Sequence, residues 1–178
     1  MLSGKKIFLR YPKLYDSKLL LKWENDRSIW DAGTTRSLFT KTEIENFISE
    51  SEKDIYSTKQ LRKMICTQPS EKKNSVPVGC IDLFEFDDKN RRAGIGILIS
   101  EKKHRKKGYA SEALNIMTTY CFKILFLHQL YCNISEINKD SLNLFKRHGF
   151  KITGTKKQWF LNGKKNMNLH QLQLIYKG

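Results

Sequence analysis

Apolar residues recur along this chain with two periods, and the switches between them predict where strands give way to helices. Residues 5–11, KKIFLRY, form a first strand stopped by Pro12. Asp16 stands where an N-cap belongs for a helix over 17–26, with Leu20, Leu21 and Trp23 as its apolar members. Residues 27–40, RSIWDAGTTRSLFT, keep neither period and are expected to be a loop overhanging something, with Trp30 and Phe39 either lining a cleft or pinning the loop. Thr40 or Thr42 with Glu43 or Glu45 offers capping-box chemistry for a helix over 43–53, where Ile44, Phe47 and Ile48 share a face.

Strands follow at 61–67, 76–86 and 91–100, joined by the polar link QPSEKKNS at 68–75 and by Asp87-Asp88-Lys89-Asn90. A helix from 110 to about 126 places Ala110, Leu114, Met117, Cys121, Ile124 and Leu125 on one side. The short apolar run 130–134 is then a buried strand parallel to the one before the helix, a βαβ unit. Asn138 precedes a helix over 139–148 that Gly149 stops, and strands 151–161 and 164–176 flank a two-residue type I′ turn at Asn162-Gly163. This order predicts an α+β fold, an α/β sandwich with a mixed sheet and helices on both faces. At 178 residues, with 68–75 a hairpin, a single domain is expected.

One junction carries more chemistry than the rest. The strand GIGILIS ends at residue 100, five Lys or Arg residues crowd into 101–107, Gly108 breaks the chain, and a helix begins. The first amides of such a helix lack intrahelical partners, and its dipole puts partial positive charge at the same end. Gly108 and Ala110 leave room for a phosphate to approach the amides of Lys106 to Ala110, while Arg105, Lys106 and Lys107 add full charges. The expected ligand carries a pyrophosphate.

A net charge of +15 attracts anions generally, so nucleic acid has to be weighed as a partner. The basic residues run through most of the chain instead of along one helix, and no helix-turn-helix, zinc-finger or RNP-like motif accompanies them. Cys66, Cys80, Cys121 and Cys132 lack CxxC spacing and predict buried, reduced thiols; the four histidines form no ligand pattern, and no metal is expected. No apolar stretch is long enough to cross a membrane and the first ten residues lack a signal-peptide core, so the expected location is cytoplasmic.

Arg105-x-x-Gly108-x-Ala110 resembles the acetyl-CoA-binding signature of the GNAT acetyltransferases, and the element order is similar to the order of that family. Residues 81–100, NKDSLNLFKRHGF at 138–150 and FLNGKKNMN at 160–168 look most like the spermidine N-acetyltransferase branch, with ribosomal-protein N-terminal acetyltransferases next. The resemblance implies a mostly antiparallel sheet of about seven strands with a splayed central parallel pair, and acetyl-CoA as acyl donor. It implies that Leu98 and Ile99 bond the pantetheine arm, that Arg105 to Ala110, including Tyr109, hold the phosphates, and that Asn138 contacts the cofactor or only caps its helix. A homo-oligomer is common in that branch; nothing in the composition demands one.

The implied reaction is direct attack of an amine on the thioester. An alkylamine of pKa near 10 needs a base, and the resemblance points to Glu85, with Asp82 matching a second acidic position. On a regular strand these two face opposite ways, and only a bulge would bring both to one cleft. Two departures stand out. Phe145 occupies the place of the tyrosine that protonates the leaving thiolate, leaving water, Tyr109, Tyr131 or a Ser141 bond to the sulfur as alternatives. Gly94 stands where the spermidine branch has glutamate, and Asp31 is the lone acid in the 27–40 loop. An N-acetyltransferase acting on a primary amine, with spermidine favoured, is the first expectation; a protein N-terminus or amino sugar as acceptor, a non-catalytic acyl-CoA-binding relative and a basic nucleic-acid-binding module are the others.

Overall fold

A computed structural model describes residues 2–26, 38–71 and 73–178. Of the loop expected over 27–40, residues 27–37, with Trp30 and Asp31, lie outside the described residues, while Phe39 packs against the cluster of Leu20, Trp23 and Ile44 and exchanges two hydrogen bonds with Asn25. The elements are strands β1 (Leu2–Ser3) and β2 (Ile7–Arg10), helices α1 (Ser17–Glu24), α2 (Lys41–Glu50) and α3 (Ile55–Thr58), and strands β3 (Leu61–Thr67), β4 (Pro77–Asp87) and β5 (Arg92–Ile99). Helix α4 (Tyr109–Lys123), strand β6 (Gln129–Ser135), helix α5 (Lys139–Arg147) and strands β7 (Lys151–Asn162) and β8 (Lys165–Ile175) follow, with short 3-10 turns at Leu14–Asp16 and Lys102–His104.

The eight strands make one sheet in the order β1-β2-β3-β4-β5-β6-β8-β7, antiparallel except for the β5–β6 pair. Among the described residues the count exceeds seven because a two-residue strand that was not expected, Leu2–Ser3, precedes the one expected over 5–11: the backbone turns at residues 4–6, so Leu2 lies opposite Leu9. Side chains alternate between two cores. On one face Leu83, Ile95 and Leu130 pack with Ala113, Leu114 and Met117 of α4 and Leu142 of α5; on the other, Met64 and Cys66 pack with Leu20 and Trp23 of α1 and Ile44 and Ile48 of α2.

Local signals held where the partner was a near neighbour in sequence. Thr40 accepts from Glu43 N–H while the Glu43 carboxylate takes Thr40 N–H at 2.7 Å, a complete capping box. Asp16 precedes α1 but does not cap it, because its carboxylate is drawn to Arg10, at 2.6 and 2.9 Å, and to Lys13 N–H. Helix α4 stops at Lys123, three residues early, and leaves Ile124 61% exposed instead of on the buried face. The last hairpin turns at Gly163-Lys164, one residue later than expected: Asn162 pairs with Lys165, and only Gly163, at φ +61°, is left-handed, so the type I′ assignment does not hold.

Candidate active site

Strands β5 and β6 pair only through Arg92, Ala93 and Gly94, although β6 continues to Ser135 against β8. Beyond the Gly94–Tyr131 pair they separate and leave a wedge open toward residue 99. Ser100 N–H bonds Val78 at 3.1 Å, and the β4–β5 register, regular from Gly79–Ile99 to Phe84–Gly94, makes alternate residues face β4. Ile97 and Ile99 therefore turn their amides toward the wedge, and Leu98 turns its own toward Cys80. Of the two residues the sequence nominates for an arm lying in the gap, Ile99 has the orientation and Leu98 does not; Ile97 has it too.

At the wide end of the wedge stands the basic turn. Gly108, at φ +86°, precedes α4 without a side-chain cap, and the first helical backbone bond is Glu112 N–H to Gly108. The amides of Tyr109, Ala110 and Ser111 thus have no partner among the described residues, which suits an anion. Lys106 also takes a left-handed turn, φ +59°. Arg105 does not point outward with its neighbours: its guanidinium folds back to the Ile99 and Ser100 carbonyls at 3.1 and 3.0 Å and fixes the turn to the end of β5. In its place comes Lys6, a residue distant in sequence, whose Nζ donates to Lys107 O at 3.1 Å and lies 3.3 Å from where a Cβ on Gly108 would stand. Glu112 accepts from the amides of Lys5 and Lys6 and holds that segment in place.

At the narrow end lies a row of three residues across three strands, Phe84, Gly94 and Tyr131, on the α1–α2 face. The β4–β5 register slips by one residue between Phe84 and Asp87, and Glu85 there has φ +49°. This bulge lets Leu83 and Phe86 both enter the α4-side core and swings Glu85 to the face of Asp82 and Phe84. Glu85 accepts the Tyr131 hydroxyl proton in a hydrogen bond, and the Phe84 ring meets the Tyr131 ring edge-on at 6.1 Å. Burial, reinforced by the Glu85 carboxylate, pushes the Tyr131 phenol upward, so it remains a proton donor.

Asp82 reaches the same face but has both oxygens engaged by Arg62, at 2.7 and 2.9 Å. Arg62 also binds Glu24 and lies 4.8 Å from the Phe47 ring centroid. Burial works against its charge, yet Asp82 and Glu24 hold it protonated. Asp82, Phe47, Gln60 and Phe84 line a cleft of about 190 Å3 beside the row.

Asn138 caps α5 by accepting Ser141 N–H at 3.1 Å, and its Nδ2 donates to nothing among the described residues. Ser141 is half-buried in that first turn. Phe145 is 3% exposed and packs edge-on against Phe150 at 4.9 Å, as a core residue.

The GNAT acetyltransferase domain model matches residues 6–151. The chain belongs to this family. Among curated relatives of this GNAT chain, the spermidine N(1)-acetyltransferase of Escherichia coli strain K12 is 30% identical over 86 residues, 48% of this chain and 46% of that protein, so the chain spans about half of its length. An N-acetyltransferase 9-like protein of Dictyostelium discoideum is 26% identical over 97% of this chain and 90% of its own. Spermidine N-acetyltransferase from Vibrio cholerae, solved with CoA and spermine, superposes with a TM-score of 0.83 at 22% identity, covering 97% of this chain and 96% of that one. At that identity the likeness is one of fold.

Proposed function

We propose that this GNAT domain transfers the acetyl group of acetyl-CoA to a primary amine, with a polyamine such as spermidine favoured. The observation that carries the proposal is the wedge between β5 and β6, which runs from unpartnered helix amides and lysines at its wide end to a carboxylate at its apex. Gly108, Tyr109, Ala110, Lys106, Lys107 and Lys6 would hold the phosphates, with Arg105 bracing their loop and Asn138 Nδ2 a further donor. The Ile97 and Ile99 amides would bond the pantetheine arm, and a donor there would stabilise the oxyanion. The acceptor would approach from the α1–α2 face, and Glu85 would receive the amine proton directly or through one water.

Nitrogen attacks the thioester carbon, the carbon–sulfur bond breaks, and the thiolate leaves. Phe145 can give it no proton; with a reference thiol pKa of about 8.5 it leaves without one near neutrality, or takes one from Tyr131 or Tyr109. A polyamine acceptor draws support from the acids on the apex face and from the named spermidine enzymes among the relatives. Gly94 beneath the Phe84 ring favours a second reading, in which the acceptor is a less charged amine such as a protein N-terminus or amino sugar. Thiol release from acetyl-CoA across spermidine, spermine, an amino sugar and N-terminal peptides tests both: the acceptor with the highest kcat/KM identifies the class, and release with none overturns the enzymatic proposal.

A further inference from the structure

Far from the wedge, a groove of about 530 Å3 lies between the first strands and the C-terminal end of α4. Leu2 and Leu9 form one apolar side and Tyr120 with the exposed Ile124 the other. This volume is within the usual range for small-molecule sites, about 300–1,000 Å3.

Three cations line the groove, and they differ in one respect. Arg10 is neutralised by Asp16 at 2.6 Å and Lys13 by Glu52. Lys63 has no such partner: among the described residues its ammonium meets no carboxylate and donates no hydrogen bond, though it is only 7% exposed. The Tyr11 ring, whose centroid is 3.0 Å from Nζ, attracts the ammonium through its π face but brings no negative charge. The register dictates this placement, since Lys63 lies opposite Ile81 and between Leu61 and Ile65 on the face that α4 covers. Burial lowers its pKa to about 8, the mark of a cation that lacks a counter-charge. A buried charge without a partner is costly, and an anion arriving from solvent relieves that cost.

We propose that this groove binds a small carboxylate with an apolar tail, its head on the Lys63 ammonium and its tail along Leu2, Leu9, Tyr120 and Ile124. One unneutralised cation matches one negative charge. A phosphate dianion would leave charge unpaired among apolar walls, so a monoanion fits better. The site is separate from the acetyl-transfer machinery and needs no acyl donor.

The test is calorimetric titration of the full chain with octanoate, and with octan-1-ol as the same tail without charge. Saturable one-to-one octanoate binding is expected, at least tenfold tighter than octan-1-ol and at least tenfold weakened in Lys63→Met, which keeps the stem volume. Ile124→Glu changes only an exposed side chain at the groove mouth and should weaken octanoate by as much, while Lys107→Met, in the other basic cluster, should leave it unchanged. Equal affinity in Lys63→Met or Ile124→Glu, equal binding of octan-1-ol, a loss in Lys107→Met that matches Lys63→Met, or no saturable binding would each overturn the proposal.

Discussion

The ring of Phe84 occupies the space over Gly94: a Cβ on Gly94 would come within 2.1 Å of the ring. Gly94, the residue that stands in place of an acid in the spermidine-like pattern, is therefore matched sterically to its cross-strand neighbour. Gly94→Ala should cost about 1–3 kcal/mol in urea denaturation by forcing the ring aside. In the Phe84→Ala background the same change should cost markedly less, a coupling that a double-mutant cycle reads directly.

Glu85 reaches the apex through its bulge, with Tyr131 as its donor. Glu85→Gln keeps the shape and removes the carboxylate proposed as the base. A fall in kcat/KM for the best acceptor of about a hundredfold or more is expected, with the KM for acetyl-CoA unchanged. An unaltered rate would remove Glu85 from the chemistry.

Asp82 and Arg62 predict a stability effect. Asp82→Ala leaves a mostly buried guanidinium with Glu24 alone, and should cost about 2 kcal/mol or more. The paired change Arg62→Met with Asp82→Leu should recover part of that, because it removes the buried cation together with one of its two carboxylates. Urea midpoints of the three proteins decide it.

Gly108→Glu puts a carboxylate and a strained left-handed residue at the α4 N-terminus. The strain is worth roughly 1–2 kcal/mol, so a cooperative melting curve should persist while coenzyme A binding is lost in calorimetry. Lys6→Met should weaken coenzyme A by about fivefold, since it withdraws one cation from the same place.

The four cysteines are free and buried. Burial raises every one of these thiols, Cys132 up to about 12. A thiol raised on folding contributes stability that is complete below its unfolded value near 9 and is lost as pH climbs through the folded value. Stability should accordingly decline from about pH 9 upward, and a Cys132→Ala variant should show a shallower decline. At pH 8 a thiol reagent should find no fast-reacting cysteine until the protein is unfolded.

Much of the architecture follows from the chain read as a line. The 3.6-residue period of α4, the Thr40–Glu43 box, the Asn138 cap and the glycines at 108 and 149 each involve residues within a few positions of one another, so local chemistry settles them. The basic turn before α4 was legible for the same reason. The short helix Ile55–Thr58 was not, because four residues are too few to display a period.

What the tertiary structure decided are the encounters between distant segments. Alternation names the faces of a strand but not its neighbour's register, so neither the slip that turns Glu85 toward Tyr131 nor the ring over Gly94 could be read from spacing. Likewise the charge count includes Arg105, Lys6 and Lys63 equally. Only packing sends the first back to two carbonyls, brings the second across more than a hundred residues to the helix N-terminus, and buries the third with no carboxylate beside it among the described residues, because where a long cation ends is fixed by what its stem lies against.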